Sequence, residues 1–294
     1  MGANLNQRLF SAADSLRSKM DASEYKNYLL GFIFYKYLSD KLLQKVVELA
    51  DESLEKYDTQ EKQTTLYKDL FADDDTRDDL KNTLVDTLSY DIEPAYLFNV
   101  LVEQAKQNLF QLTDLNKAFI YLSTSYSQFS GLFDDVDLQS KKLGTDDQQR
   151  NVTITEVLKK LNDIDVLGHD GDVIGDAYEY LIGQFASDAG KKAGEFYTPH
   201  MVSDMMARIV AIGQEDTHIF NVYDPTMGSG SLMLNVRNHV NYPDKVKYHG
   251  QELNTTTFNL AKMNLILHGV DNEAMNLRNG DTLNKDWPTD EPYT

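Results

Sequence analysis

The chain has 294 residues, 41 % of them hydrophobic and 26 % charged, with no cysteine and a formal net charge of −19. This length supports two ordinary domains with a core each, and the composition excludes a disordered or collagen-like chain. The missing cysteine excludes disulfides and thiolate metal sites and fits a reducing cytoplasm, and the acidic balance excludes tight binding of duplex DNA by this chain alone, because phosphate contacts need Lys and Arg. The longest apolar run, Tyr28 to Tyr35, is too short to cross a bilayer. Met1-Gly2-Ala3-Asn4-Leu5-Asn6 carries neither a secretion signal nor an N-myristoylation pattern. A cytoplasmic protein without membrane attachment is expected.

From Asn4 to about Asn162 the pattern is helical throughout. Its clearest stretch runs from Ser23 to about Leu49, where Leu30, Ile33, Phe34, Tyr37, Leu38, Leu42 and Val46 recur on one helical face. Ser23, followed by Glu24, is read as its start. Phe32, Phe34, Tyr35 and Tyr37 suit a core better than a base-stacking surface, because they follow helical periodicity. Asp73 to Asp75, Asp134-Asp135 and Gly144 to Asp147 read as polar connections. Of the six prolines only Pro94 precedes Pro199, which leaves helix interiors unbroken. Asp163-Ile164-Asp165 begins like a calcium loop but places Leu167 and Ile174 where oxygen ligands are needed. None of the six histidines has metal-ligand spacing.

Leu161 to Asp172 reads as a linker, Ile174 to Phe185 as a helix, and Ser187 to Gly194 as a loop. Beyond Pro199, helix and strand alternate. Helices are expected at Met201 to Ile212, Ser231 to Val240 and Asn259 to Leu267. Strands are expected at His218 to Tyr223, Val246 to Gln251 and Met275 to Arg278. Such alternation predicts βαβ units and a parallel sheet.

The informative segment is Asp224-Pro225-Thr226-Met227-Gly228-Ser229-Gly230-Ser231, where a strand ends and a helix begins, the ligand-binding edge of a parallel sheet. Gly228 and Gly230 let backbone approach a ligand closely, and Ser231 is a candidate cap for the following helix. Asp224 at the strand tip repels phosphate and attracts an amino or sulfonium group. A dinucleotide fingerprint would need glycine at Met233, and no G-x-x-x-x-G-K-[ST] occurs. A glycine turn of purely steric origin is the plain alternative. Glu252, closing the second strand, stands where a carboxylate accepts both hydroxyls of a ribose. Asp281, ending the third, could accept a hydrogen bond from an adenine 6-amino group. Singly each is an ordinary surface acid; three at successive strand ends form a pattern.

The Asp224 to Gly230 segment resembles the S-adenosylmethionine-binding motif of amino-methylating DNA methyltransferases. Gly194-Glu195-Phe196-Tyr197-Thr198-Pro199-His200 resembles the Phe-Tyr-Thr-Pro motif that precedes it in the adenine-specific group. Asp176-Ala177-Tyr178-Glu179-Tyr180-Leu181-Ile182, followed by Gly190-Lys191-Lys192, resembles the modification subunits of type I restriction–modification systems, as does the helical first half. Phe196 to Pro199 also suits a helix N-terminus, with Thr198 as cap and Pro199 first.

The resemblance implies a multi-domain α plus α/β chain. Residues 1–165 would be a helical bundle for subunit and DNA contact. Residues 166–294 would be the first half of a Rossmann-like methyltransferase domain. The implied cofactor is S-adenosyl-L-methionine, with Glu195, Phe196, Tyr197, Thr198, Pro199, His200, Asp224, Pro225, Gly228, Ser229, Gly230, Glu252 and Asp281 at its site and no metal. The implied partners are a DNA-specificity subunit, a restriction subunit, duplex DNA in the assembled complex and a second copy of the chain. A non-catalytic docking module and a methyltransferase of another amine are the competing readings.

In this family an Asn-Pro-Pro-Tyr or Asn-Pro-Pro-Phe motif grips the target amine of a flipped base, and none occurs here. The chain as it stands is therefore expected not to methylate DNA by itself. Incubation of the purified chain with labelled cofactor and an adenine-containing duplex should transfer no label; measurable incorporation would contradict the reading.

Overall fold

The computed structural model describes residues 2–167, 173–188 and 197–284, and contacts divide the chain into two compact units, Met1–Gly171 and Asp172–Thr294. The first unit is helical: α1 (Gly2–Ala12), α2 (Asp14–Arg17), α3 (Ala22–Leu49), α4 (Gln60–Ala72), α5 (Asp74–Leu88), α6 (Phe98–Lys106), α7 (Leu112–Ser125) and α8 (Asp147–Asn162). Helix α3 begins one residue before Ser23, since the Asp21 carbonyl already accepts the Glu24 and Tyr25 amides at 2.9 and 3.0 Å. The polar connections do the capping. Asp73 alone separates α4 from α5 and accepts the Asp75 amide at 3.0 Å, while Asp146 opens α8 by accepting the Gln149 amide at 2.8 Å.

Two expectations for this unit need correction. Helix α3 is not merely apolar on one face. Leu29 and Leu43 lie outside the predicted stripe and are buried with it, because α4, α5, α6 and α8 pack around the helix. The aromatic residues form core, as expected: Phe34 packs against Phe129 and Phe133, and Phe119 stacks on Phe133 with ring centroids 4.3 Å apart. The segment from Tyr126 to Asp146 is not α-helical. It has a 3-10 turn at Ser127–Phe129 and then turns, with Gly131 at φ +75° and the Asp137 carboxylate accepting the Gln139 amide at 2.9 Å. Phe129, Leu132, Phe133 and Val136 keep helical spacing and are buried, yet short polar residues and glycine draw the backbone into turns.

An ion pair with both side chains buried lies inside the unit. Lys36 and Asp40, one turn apart on α3, meet at 2.6 Å with side chains 1 % and 5 % exposed. Burial pushes the Asp40 carboxyl above its ordinary range, against the pull of Lys36.

In the second unit, α9 (Val173–Asp188) and α10 (His200–Ala211) precede β1 (Phe220–Asp224), α11 (Ser231–Asn235), β2 (Val246–Glu252), α12 (Thr255–Leu267) and β3 (Met275–Asn279). The strands form a parallel sheet in the order β1-β2-β3, with Asp224 opposite Gly250 and Glu252 opposite Asn279. Its core gathers Phe220, Met227, Met233, Val246, Tyr248 and Leu265. Several expected boundaries move, β1 among them, which runs from Phe220 to Asp224. The helix from Ser231 is α only to Asn235 and continues as a 3-10 turn through His239; α12 starts at Thr255 because Asn254 accepts the Thr257 amide at 3.0 Å; and α9 runs on through Asp188, past the expected loop start at Ser187.

Helix α10 is inverted in its amphipathicity: Ser203, Ala207 and Ala211 are buried, whereas Met201 (85 % exposed), Met205, Ile209 and Val210 face outward. Among the described residues no strand pairs with the other edge of β1, and no helix is long and apolar enough to cross a membrane.

Removing one partner of the buried pair should be costly. Lys36→Met should lower unfolding free energy by about 3–5 kcal/mol, because it strands a buried carboxylate. That loss should shrink as pH falls: a carboxyl whose folded pKa is raised costs stability once pH rises through the ordinary range, and protonation removes the cost. Urea unfolding at pH 7 and pH 5 checks both statements.

Candidate cofactor site

Asp224 is the last residue of β1, half-buried, and its Oδ1 accepts the Thr226 amide at 2.9 Å. Burial pushes its carboxyl up, with the Thr226 amide and hydroxyl opposing. The chain then turns through two left-handed glycines, Gly228 at φ +56° and Gly230 at φ +80°. A Cβ on Gly230 would lie 2.7 Å from Leu265 Cδ1 on α12, so both conformation and space require glycine there. Gly230, not Ser231, is the cap residue of α11; the Ser231 hydroxyl instead lies 3.0 Å from that of buried Ser229. A left-handed cap leaves the Ser231 side chain inside the first turn, where it meets Ser229 rather than a helix amide.

Glu252 closes β2 and joins the loops. Its Oε2 accepts the Gly228 amide at 3.2 Å and its Oε1 the Asn254 amide at 2.8 Å. Its backbone carbonyl accepts the Gly280 amide at 3.1 Å and the Asn279 side-chain amide at 2.7 Å. The tip of β3 itself is Asn279, opposite Glu252; Asp281 lies two residues further, in a turn where it accepts the Leu283 amide and the Asn284 side chain at 3.0 and 2.7 Å. The Thr282 hydroxyl donates to the Pro225 carbonyl at 2.6 Å, so the loops after β1 and β3 touch. Asp224, Pro225, Gly228, Glu252 and Asp281 thus belong to one hydrogen-bonded set of loops at the carboxyl end of the sheet. Sequence reading missed Asn279, Thr282, Gln251, whose carbonyl accepts the Met227 amide at 2.9 Å, and Asn264, whose amide donates to the Ser229 carbonyl at 3.0 Å. Asn279 and Gln251 adjoin residues already singled out; Asn264 carries no such local signal.

Glu195 and Phe196 lie outside the described residues. Tyr197 is half-buried over α9, where a Cβ on Gly183 would come within 3.1 Å of its hydroxyl oxygen; burial pushes that hydroxyl up, and the His200 backbone amide donates to it. Thr198 is half-buried, and Pro199 and His200 are exposed. Pro199, with ψ 136°, is the cap residue of α10 and His200 its first residue, one position before the expected Met201 and one after the Pro199 start that the motif also suits. The Pro199 carbonyl accepts the Val202 and Ser203 amides at 2.8 and 3.1 Å, so no Thr198 cap is needed. Buried Ser203 then accepts from the Asn235 side chain at 2.7 Å, fixing α10 to α11. Among the described residues no three acidic or histidine side chains are placed to hold a metal ion.

Gly230→Ala should destabilise this unit by about 1–3 kcal/mol, combining left-handed strain with overpacking against Leu265. Chemical denaturation should show it, and in a double-mutant cycle with Leu265→Ala, itself costly because Leu265 is fully buried, the coupling between the two changes should report the steric part.

The sequence model of the HsdM N-terminal domain matches residues 5–161, and that of N-6 DNA Methylase matches residues 169–293. Among curated relatives, the type I restriction enzyme MpnII methylase subunit of Mycoplasma pneumoniae is 34 % identical over 96 % of this chain and 53 % of its own length. The MjaVII methylase subunit of Methanocaldococcus jannaschii is 29 % identical over 99 % of this chain and 46 % of its own. The chain therefore spans about half the length of the curated relatives it matches. A solved type I restriction–modification methyltransferase subunit from Streptococcus thermophilus is 50 % identical and superposes with a TM-score of 0.94, over 99 % of this chain and 61 % of that one. With both domain families matched in order, this chain belongs to the family of methyltransferase subunits of type I restriction–modification systems.

Proposed function

We propose that the second unit binds S-adenosyl-L-methionine and that the whole protein methylates adenine in DNA, together with a DNA-specificity subunit and a restriction subunit. The observation that carries this reading is the hydrogen-bonded set of strand-end acids around the left-handed glycine turn, with Glu252 holding Gly228. S-adenosylmethionine supplies the methyl group when bound.

The residues fit such a ligand. A cationic amino acid end suits Asp224, whose partly buried carboxylate gains by meeting positive charge. Each oxygen of Glu252 accepts one amide and has a lone pair left for a ribose hydroxyl. Asp281 would accept from the adenine amine, and Gly228, Ser229 and Gly230 would let backbone approach closely. Glu195 to His200 would cover the methionine carboxylate, with Thr198 as donor. The acidic balance of the chain fits a division of labour in which the specificity subunit supplies phosphate contacts and sequence readout. In that assembly residues 1–165 would serve subunit and DNA contact, residues 166–294 would carry the cofactor, a second copy of the chain would complete the complex, and the site of action would be the cytoplasm.

Calorimetric titration with S-adenosylmethionine should give one saturable site, weakened at least tenfold by Asp224→Asn, which is about 1.4 kcal/mol. Affinity should fall as pH drops through the raised Asp224 range, because the protonated carboxyl no longer attracts a cation; the Asn variant should lack that fall. Unchanged affinity in the variant would sink the assignment.

A further inference from the structure

Gly183 stands in the interior of α9, where glycine is the least favourable residue after proline. Its backbone is not left-handed, so conformation does not account for it. Contact does. A Cβ there would lie 3.1 Å from both Cζ and the hydroxyl oxygen of Tyr197 and 3.2 Å from its Cε1, closer than the roughly 3.5–4.0 Å at which carbon atoms pack best. All three of the atoms nearest that position belong to Tyr197, so the bare face of the helix receives one ring. Gly183 is only half-buried, which leaves a longer side chain no other close neighbour to strike.

Tyr197 in turn holds the start of α10. Its hydroxyl accepts the His200 amide, one of the first-turn donors that a helix cannot satisfy internally. Burial, and then the carboxylate of Glu179 one turn before Gly183, keep that hydroxyl protonated and neutral. Helix α9 is also tied to α12, where the Tyr178 hydroxyl donates to Met263 Sδ at 3.3 Å, both side chains buried. Helix α12 carries the glycine turn, through the Asn264 amide on the Ser229 carbonyl at 3.0 Å and through Leu265 against Gly230. One pair of helices therefore holds both the Tyr197 segment and the turn that follows β1.

We infer that Gly183 is a positioning residue of the cofactor site: its missing side chain seats the Tyr197 ring and so sets where Thr198 to His200 stand relative to the glycine turn. The cofactor part of this inference rests on the proposed binding of S-adenosylmethionine; the seat does not. Gly183→Ala, Gly183→Leu, Tyr197→Ala and the double variant Gly183→Leu/Tyr197→Ala are made in the full chain. A glycine needed only for folding would lose stability and affinity together. Here the urea midpoint of Gly183→Ala should stay equal or rise, because alanine favours the helix, while calorimetric affinity for S-adenosylmethionine falls about threefold. Gly183→Leu, which displaces the ring outright, and Tyr197→Ala should each weaken binding at least tenfold. Adding Gly183→Leu to Tyr197→Ala should cost less than twofold more, since the collision is gone. Without ligand, the His200 amide should exchange with solvent at least tenfold faster in Gly183→Leu and in Tyr197→Ala than in the unaltered chain. Unchanged affinity in either single variant, or losses that simply add in the double variant, overturn the positioning role. Unchanged His200 exchange in Gly183→Leu overturns the seat. An unaltered chain that takes up no S-adenosylmethionine sinks the cofactor reading and the positioning role with it, and His200 exchange then decides the seat alone.

Discussion

The second unit depends on one carboxylate. Glu252 holds the glycine turn by the Gly228 amide and starts the approach to α12 by the Asn254 amide, while its own carbonyl receives Gly280 and Asn279. One residue at the end of one strand thereby fixes the loops of all three. This follows from the register: β2 extends two residues beyond the partner of Asp224, so its terminal side chain reaches sideways over the shorter strand rather than into the sheet. A parallel sheet brings every strand to an end on the same side, and the longest strand is the one placed to collect its neighbours' free amides.

The helical unit rests on a different constraint. Helix α3 is surrounded, so polar side chains on it must find partners inside protein. Lys36 and Asp40 find each other, the Ser39 hydroxyl accepts the Phe98 amide at 2.9 Å, and the Tyr90 hydroxyl donates to the Leu38 carbonyl at 2.9 Å. Such bonds are modest singly but expensive to lose in a dry interior. They also set the position of neighbouring segments along α3 more narrowly than aliphatic contacts would.

Much of this was legible in residue order. Glycine and Asp-Pro mark the end of β1, and alternation of Val246, Tyr248 and Gly250 with polar residues marks β2. What was not legible arose from packing. The stripe on α3 hid the burial of its other faces, because Lys36 and Asp40 look like solvent-facing residues until helices close over them. The spacing of Phe129, Leu132, Phe133 and Val136 mimics a helix that the local aspartates, serine and glycine do not allow. At the candidate cofactor site, residue order points to Asp281 as a strand tip, whereas the tip is Asn279, and only the pairing with Glu252 distinguishes them. The bond from Thr282 to Pro225 joins residues 57 apart and leaves no local signature.

The inverted helix α10 bears on how separate copies of this molecule treat one another. Met201, Met205, Ile209 and Val210 are exposed on α10, and an exposed apolar row of this kind favours self-adhesion. The opposing influence is long-range repulsion from a net charge of −19, which acts before such surfaces can touch. That repulsion is only as long as the ionic atmosphere permits, about 10 Å at 0.1 M salt and about 3 Å at 1 M. Colloidal behaviour of the chain is therefore governed by electrolyte concentration, with the exposed methionines and isoleucine dominating as the counterion cloud contracts.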